Sequence, residues 1–187
     1  ACHTSAVNRP ESLASYARAL LKEIDLVADT VPELMVGSVQ WGGGTPSQLG
    51  TANIVDVAKR LAARFDRRCG SETSMEVDPR FCDDALVTTM RDIGIDRASL
   101  GVQDFDIDVQ QAINRLQSVD DTAAAISRLR TAGIARINLD LVYGLPRQTL
   151  ETLARTLDAA IELAPDRFAV FAYAHVPWMK ARQRLID

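Results

Sequence analysis

Between residues 11 and 29 the apolar side chains Leu13, Tyr16, Leu20, Ile24 and Val27 recur at steps of three and four, so they fall on one stripe of a helix. The period then shortens. Residues 36–41 predict a strand, and after a cluster of glycines and Pro46 a second helical stripe follows at Ile54, Val57, Ala58, Leu61 and Phe65. Further strands are predicted near residues 74–77, 98–102, 137–142 and 168–171. Two well-punctuated helices separate the last three of these. One opens near Asp120 and Asp121 and closes at Gly133, where a left-handed cap residue belongs. The other covers residues 149–163, with Leu150, Leu153, Leu157 and Ile161 expected to face inward.

The pattern is a helix followed by five strand–helix steps, the fifth without its helix. Such alternation specifies a parallel sheet, either doubly wound or closed into a barrel, and periodicity alone does not choose. In both architectures ligands sit at the carboxyl ends of the strands. Polar residues that break the apolar pattern there are the candidates for chemistry.

Composition narrows the classes. A chain of 187 residues with 47% apolar and 25% charged residues can bury a real core and reads as one globular domain or most of one. The net charge of −4 and scattered arginines leave no electrostatic footprint for nucleic acid. No apolar run approaches the roughly 18 residues of a membrane span, and nothing resembles a signal peptide, so a cytosolic protein is expected. Cys2, Cys69 and Cys82 are odd in number and irregularly spaced, which fits neither a disulfide framework nor a C-x-x-C metal knuckle. Cys69 and Cys82 read as reduced thiols of no special role.

The first strand ends in Trp41-Gly42-Gly43-Gly44-Thr45-Pro46, where successive glycines expose main-chain groups to a ligand or simply make a tight turn. The second ends in Glu76-Val77-Asp78-Pro79-Arg80. Pro79 suits a helix start, which makes Asp78 a structural cap and leaves Glu76 at the strand tip, as a ligand carboxylate or a solvated end. At the third tip Gln103 and Asp104 interrupt an apolar run, and Arg115 follows on a short helical piece over residues 109–116. The fourth strand carries Asp140 inside an otherwise buried segment; a charge there is costly unless it is paired or bound to ligand, so Asp140 is the best single candidate on physical grounds. The fifth exits through Tyr173-Ala174-His175-Val176-Pro177-Trp178, with His175 read as structural. No nucleophile is arranged with a base, so no catalytic residue is assigned, and no metal ligand either. The set suits a cradle for a polar, zwitterionic nucleoside.

Taken together, W-G-G-G-T-P, E-V-D-P-R, L-G-V-Q-D-F, V-Q-Q-A-I-N-R, L-D-L-V-Y-G-L-P and Y-A-H-V-P-W closely resemble the radical S-adenosylmethionine enzymes, and within them the oxygen-independent coproporphyrinogen III oxidases of heme biosynthesis. The resemblance covers essentially the whole chain. It implies a partial (β/α)6 barrel, TIM-like, of which this chain would hold strands 2 to 6 with their helices. It also implies that Gly43, Gly44 and Thr45 meet the methionyl part of S-adenosylmethionine, that Arg115 pairs with its carboxylate, that Gln103 and Asp140 hold ribose hydroxyls, and that Ala174 contacts adenine through its backbone. Glu76 would be a further contact, in this family to a second molecule of the cofactor. The implied reaction converts two propionates of coproporphyrinogen III to vinyls through a 5′-deoxyadenosyl radical, with a [4Fe–4S] cluster fed by an electron donor.

The C-x-x-x-C-x-x-C cluster ligands of that family are absent. Cys2-His3-Thr4 is similar to the tail of that signature, so the expectation is a radical SAM core over residues 1–187 that lacks its first strand and cluster loop upstream and a helical domain downstream. Two other readings compete. A heme chaperone of the same superfamily shares the barrel and the glycine motif. A cluster-free barrel would be a binding module, or an enzyme using Asp140 and Glu76 as acid and base.

Overall fold

The computed structural model describes residues 10–176 together with residues 178 and 183. Cys2-His3-Thr4 and most of residues 180–187 lie outside the described residues. Helix α1 (Pro10–Thr30) leads into β1 (Met35–Trp41), α2 (Thr51–Arg64), β2 (Asp66–Val77), α3 (Asp84–Asp92), β3 (Arg97–Gln103), α4 (Ile107–Ala112), α5 (Val119–Thr131), β4 (Arg136–Tyr143), α6 (Leu150–Glu162) and β5 (Arg167–Ala172). The five strands are all parallel, in the strictly sequential order β1-β2-β3-β4-β5. A doubly wound sheet needs a point where the strand order reverses. None occurs among the described residues, and the sheet curls into a half-barrel, the partial TIM-like barrel expected.

Alternation along the strands sets the two faces. In β3, Ala98, Leu100 and Val102 are buried, as are Ile137, Leu139 and Leu141 of β4, and all six join one core with Leu86, Val87 and Met90 of α3 and Ala125, Ile126 and Leu129 of α5. The opposite positions, Ser99, Gly101 and Gln103 on β3 and Asn138 and Asp140 on β4, face the hollow of the barrel. The helical face therefore supplies stability, and the hollow face is free to carry polar groups. Leu139 is fully buried. Leu139→Ala is expected to destabilise the fold by about 3 kcal/mol, read as a lower denaturation midpoint at unchanged slope.

Several boundaries and faces differ from those predicted. Strand β2 starts at Asp66 rather than near residue 74. Its first half is charged and gives no apolar signal, yet it pairs with β1 from Met35↔Asp66 onward through a bulge that skips residues 68–71. Helix α3, with Asp83 accepting from the Leu86 N–H at 2.8 Å, was too short to be read from its period. Helix α5 opens earlier than Asp120, because Ser118 and Asp121 form a capping box, while Gly133 does take positive φ at 91° as expected. On α6 the inward face is corrected: Leu150 and Ile161 are 83% and 60% exposed, and the buried residues are Thr156 and Ala160. Small side chains let this helix approach the β3 tip closely enough for Thr156 to bond there. Tyr16 and Val27 of α1 are likewise exposed; Ala17 and Ala28 are buried.

Candidate functional site

The loop after β1 passes directly under the β2 tip. A Cβ on Gly42 would lie 2.6 Å from Glu76 Oε1, so only glycine lets the Glu76 carboxylate rest across this turn. Pro46 then opens a 3-10 turn over Pro46–Leu49 that leads into α2. Gly44 and Thr45 border two spaces at once. One is a polar cleft of about 120 Å³ at the strand tips; the other is a larger, mostly apolar cavity of about 620 Å³ between α1, β1 and α2, which Gly43 also lines.

At the β2 tip, Asp78 caps the 3-10 turn Pro79–Phe81, as its place before Pro79 predicted. It does more than cap. Its Oδ1 accepts from the Arg80 N–H at 3.1 Å and Arg80 Nε at 2.9 Å, its Oδ2 accepts from Arg80 Nη2 at 2.6 Å, and Arg115 Nη1 forms an ion pair with Oδ2 at 3.2 Å. Burial works to raise its pKa, but the hydrogen bonds from Arg80 and the charge of Arg115 outweigh it and hold the carboxyl below its ordinary value. Arg115 also donates through Nη2 to the Gly101 carbonyl at 2.6 Å, and its Nε is buried with no partner. Burial pushes the Arg115 pKa down against the pull of Asp78. A half-buried guanidinium with a donor left over is suited to a ligand anion. Gly101 is needed for this packing: a Cβ there would sit 2.9 Å from Gln103 Nε2 and 3.4 Å from Arg115 Nη2.

Asp140 sits beside Gly101 in register. The Ser99 hydroxyl donates to its oxygens, 3.0 Å from each, and Asn138 Nδ2 donates to Oδ1 at 2.6 Å and to Ser99 Oγ at 2.6 Å. Arg167 Nε in turn donates to Asn138 Oδ1 at 3.1 Å. Burial raises the Asp140 pKa and prevails over the hydrogen bonds from Ser99 and Asn138. The carboxylate predicted to be expensive is thus held by two neutral donors instead of a direct ion pair, with acceptor capacity left for ligand hydroxyls.

The cleft brings together Gly44, Thr45, Glu76, Gln103, Arg115 and Asp140. Gly43 stands one residue outside it. Ala174 lies past the β5 tip, is exposed, lines neither space, and accepts from Gln183 Nε2 at 3.0 Å through its carbonyl. Sequence reasoning missed Ser99, Gly101 and Asn138, and gave Asp78 only its capping role. The signal for Ser99, Gly101 and Asn138 was present: Ser99-x-Gly101-x-Gln103 and Asn138-x-Asp140 share the hollow-facing parity.

Among the described residues no three His, Cys, Asp or Glu side chains are placed to hold a metal ion. Cys69 is exposed, and Cys82 is buried with its thiol pushed up by burial to about 11. Cys82 is therefore no ready thiolate. No helix of the described residues is long and apolar enough to cross a membrane.

The Radical SAM superfamily profile matches residues 2–160. The oxygen-independent coproporphyrinogen III oxidase of Bradyrhizobium diazoefficiens is 46% identical over 187 residues, which is 100% of this chain and 42% of that protein. The enzyme of the same name from Escherichia coli is 39% identical over 99% of this chain and 40% of that protein. The solved coproporphyrinogen III oxidase of Escherichia coli, a radical SAM enzyme, superposes with a TM-score of 0.93 at 38% identity over 100% of this chain and 43% of that one. The chain therefore spans about two fifths of the length of these relatives.

Proposed function

Because this chain belongs to the radical SAM superfamily, we propose that its strand-tip cleft binds S-adenosylmethionine and that it forms the radical SAM core, residues 1–187, of an oxygen-independent coproporphyrinogen III oxidase. The observation that carries the reading is the pairing of a guanidinium that has an unused buried donor, Arg115, with a carboxylate that has unused acceptors, Asp140, across one small cleft. A zwitterionic amino acid joined to a ribose needs that combination. The cleft of about 120 Å³ falls short of the roughly 300 Å³ of an ordinary ligand pocket. The remainder of the cofactor would extend over the open mouth of the barrel and the glycine loop.

The residues fit the cofactor as follows. Arg115, kept in place by Asp78 and the Gly101 carbonyl, would take the carboxylate. Gly43, Gly44 and Thr45 would offer main-chain and hydroxyl groups to the methionyl part. Asp140 and Gln103 would hold the ribose hydroxyls, Ala174 the adenine edge, and Glu76 a further amino or hydroxyl group. When bound and supplied with an electron, S-adenosylmethionine provides a carbon radical able to remove hydrogen from a propionate side chain. The part of this chain is to orient that carbon and shield it from other partners. Among the described residues no group of His, Cys, Asp or Glu side chains suits a [4Fe–4S] cluster, so the cluster and its electron donor would be held by other residues of the protein. A cytosolic setting agrees with the free thiols and the absence of a membrane-crossing helix among the described residues. Nucleic acid has no role in this reading.

The test is anaerobic turnover by the full-length protein that carries this chain, reconstituted with iron and sulfide and given a reductant, S-adenosylmethionine and coproporphyrinogen III. Release of carbon dioxide with formation of protoporphyrinogen IX is expected. Tight heme binding with no decarboxylation would move the chain to the heme chaperones.

A further inference from the structure

The loops after β3 and β4 are tied together by a buried clamp that the cofactor contacts leave unused. Asp104 is fully buried. Its Oδ1 accepts from the Asp106 N–H at 2.6 Å and the Thr156 hydroxyl at 2.8 Å, and its Oδ2 from Gln148 Nε2 at 2.6 Å. Gln148 also donates to the Val142 carbonyl at 2.9 Å, while its Oε1 accepts from the Gly144 and Leu145 N–H groups at 2.6 and 3.3 Å. One carboxylate and one carboxamide therefore join the end of β3, the loop after β4 and α6. Every strong acceptor and donor of the pair is used, which is the condition under which a buried polar network rigidifies its surroundings.

What the clamp holds is the turn at Gln103. This residue has φ of 69°, and across it the Asp104 N–H donates to the Val102 carbonyl at 2.9 Å. That closes a three-residue γ-turn of the rarer, strained sign on a side chain that is not glycine. The register between β3 and β4 slips at the same place, between Gly101 and Gln103. Strained backbone persists where its surroundings over-determine it, and the carboxylate of Asp104, the next residue, is held by three donors. We propose that Asp104 and Gln148 are positioning residues that hold the Gln103 turn, and with it the Gln103 carboxamide, toward the cofactor cleft. This rests on the reading of that cleft as an S-adenosylmethionine site.

Gln148→Glu sets a second carboxylate against Asp104. Two carboxylates in contact cannot both ionise without repulsion, but one shared proton restores the contact. Of the charged groups on the elements the clamp joins, Asp106 at the α4 cap and Arg155 on α6 pair with each other at 3.1 Å, and Arg147 directly precedes position 148 in the chain. The double variant Asp104→Asn/Gln148→Glu returns an amide–carboxylate contact with its polarity reversed. Equilibrium binding of S-adenosylmethionine to the full-length protein and hydrogen exchange of the Gly144 and Leu145 amides read the result. Relative to the parent at each pH, Gln148→Glu is expected to bind about tenfold more weakly at pH 8 and within about twofold at pH 5.5, with the two amides opening in parallel. The double variant is expected to recover most of the loss at pH 8 but not all of it, because a carboxylate at position 148 has no donor for the Val142 carbonyl. If the amides open at pH 8 while affinity stays at the parental value, the clamp does not position Gln103 and the inference is overturned with the cofactor reading intact. If the parent itself fails to bind, the cofactor reading falls and takes this inference with it.

Discussion

Arg115→Ala is expected to lower the affinity for S-adenosylmethionine by about a hundredfold, the loss that follows from removing one partner of a desolvated charge pair. Among the described residues Arg115 is the one cation lining the cleft, its side chain is 23% exposed, and the Asp78 ion pair and Gly101 carbonyl leave it little freedom. Truncation removes the charge and also leaves a buried carboxylate facing the cofactor's own carboxylate with no cation between them. Arg115→Lys keeps the charge but cannot serve Asp78, Gly101 and a ligand at once, because the ammonium lacks the planar fork; about a tenfold loss is expected. Fold stability should move less than binding in both variants, since Asp78 keeps its bidentate contact with Arg80. Calorimetric titration on the full-length protein separates the two effects. An unchanged dissociation constant for Arg115→Ala would remove Arg115 from the site and leave its guanidinium as a counter-ion for Asp78 alone.

The case of Arg115 also shows what a sequence can and cannot carry. Its charge and its place after the third strand were legible; its partner was not, because Asp78 lies 37 positions earlier and already had a sufficient explanation as a cap before Pro79. Asp140 was legible on physical grounds alone, since a carboxylate between Leu139 and Leu141 breaks an apolar run. Its two supporting donors were harder to see, because serine and asparagine at alternate positions resemble ordinary strand variation until the barrel face is known. Strand β2 was half missed because pairing at Asp66 and Arg67 depends on main-chain groups, which leave no apolar trace. Leu150 and Ile161 of α6 misled for the opposite reason: their spacing is helical, but the helix approaches β3 through Thr156 and Ala160. Choice between a barrel and a doubly wound sheet came from family resemblance, and strand order supplies the physical reason for it.

Asp140→Asn is expected to separate stability from binding. Burial lifts the Asp140 pKa above its ordinary 3.8, in spite of the Ser99 and Asn138 donors. Below pH 3.8 the carboxyl is neutral in both folded and unfolded chains, so its favourable contribution to folding is fully present. As pH rises from 3.8 through the raised folded value, the unfolded chain ionises first and that contribution is lost. At neutral pH the parent therefore carries a penalty that an amide of the same shape does not, and Ser99 and Asn138 can still donate to the amide oxygen. Asp140→Asn should melt higher than the parent at pH 7, and the difference should close as the pH approaches 3.8. Binding should go the other way. A carboxylate accepting from ribose hydroxyls is worth about 2 kcal/mol in charge-assisted hydrogen bonds, so the variant should bind S-adenosylmethionine about thirtyfold more weakly. Thermal melts across that pH range and titrations at pH 7 on one protein preparation check both signs. A variant that melts lower at pH 7 would mean that Asp140 is stabilised in its charged form by Arg97 and Arg167, and the barrel interior would then be an ion-pair network in which a neutral amide is the misfit.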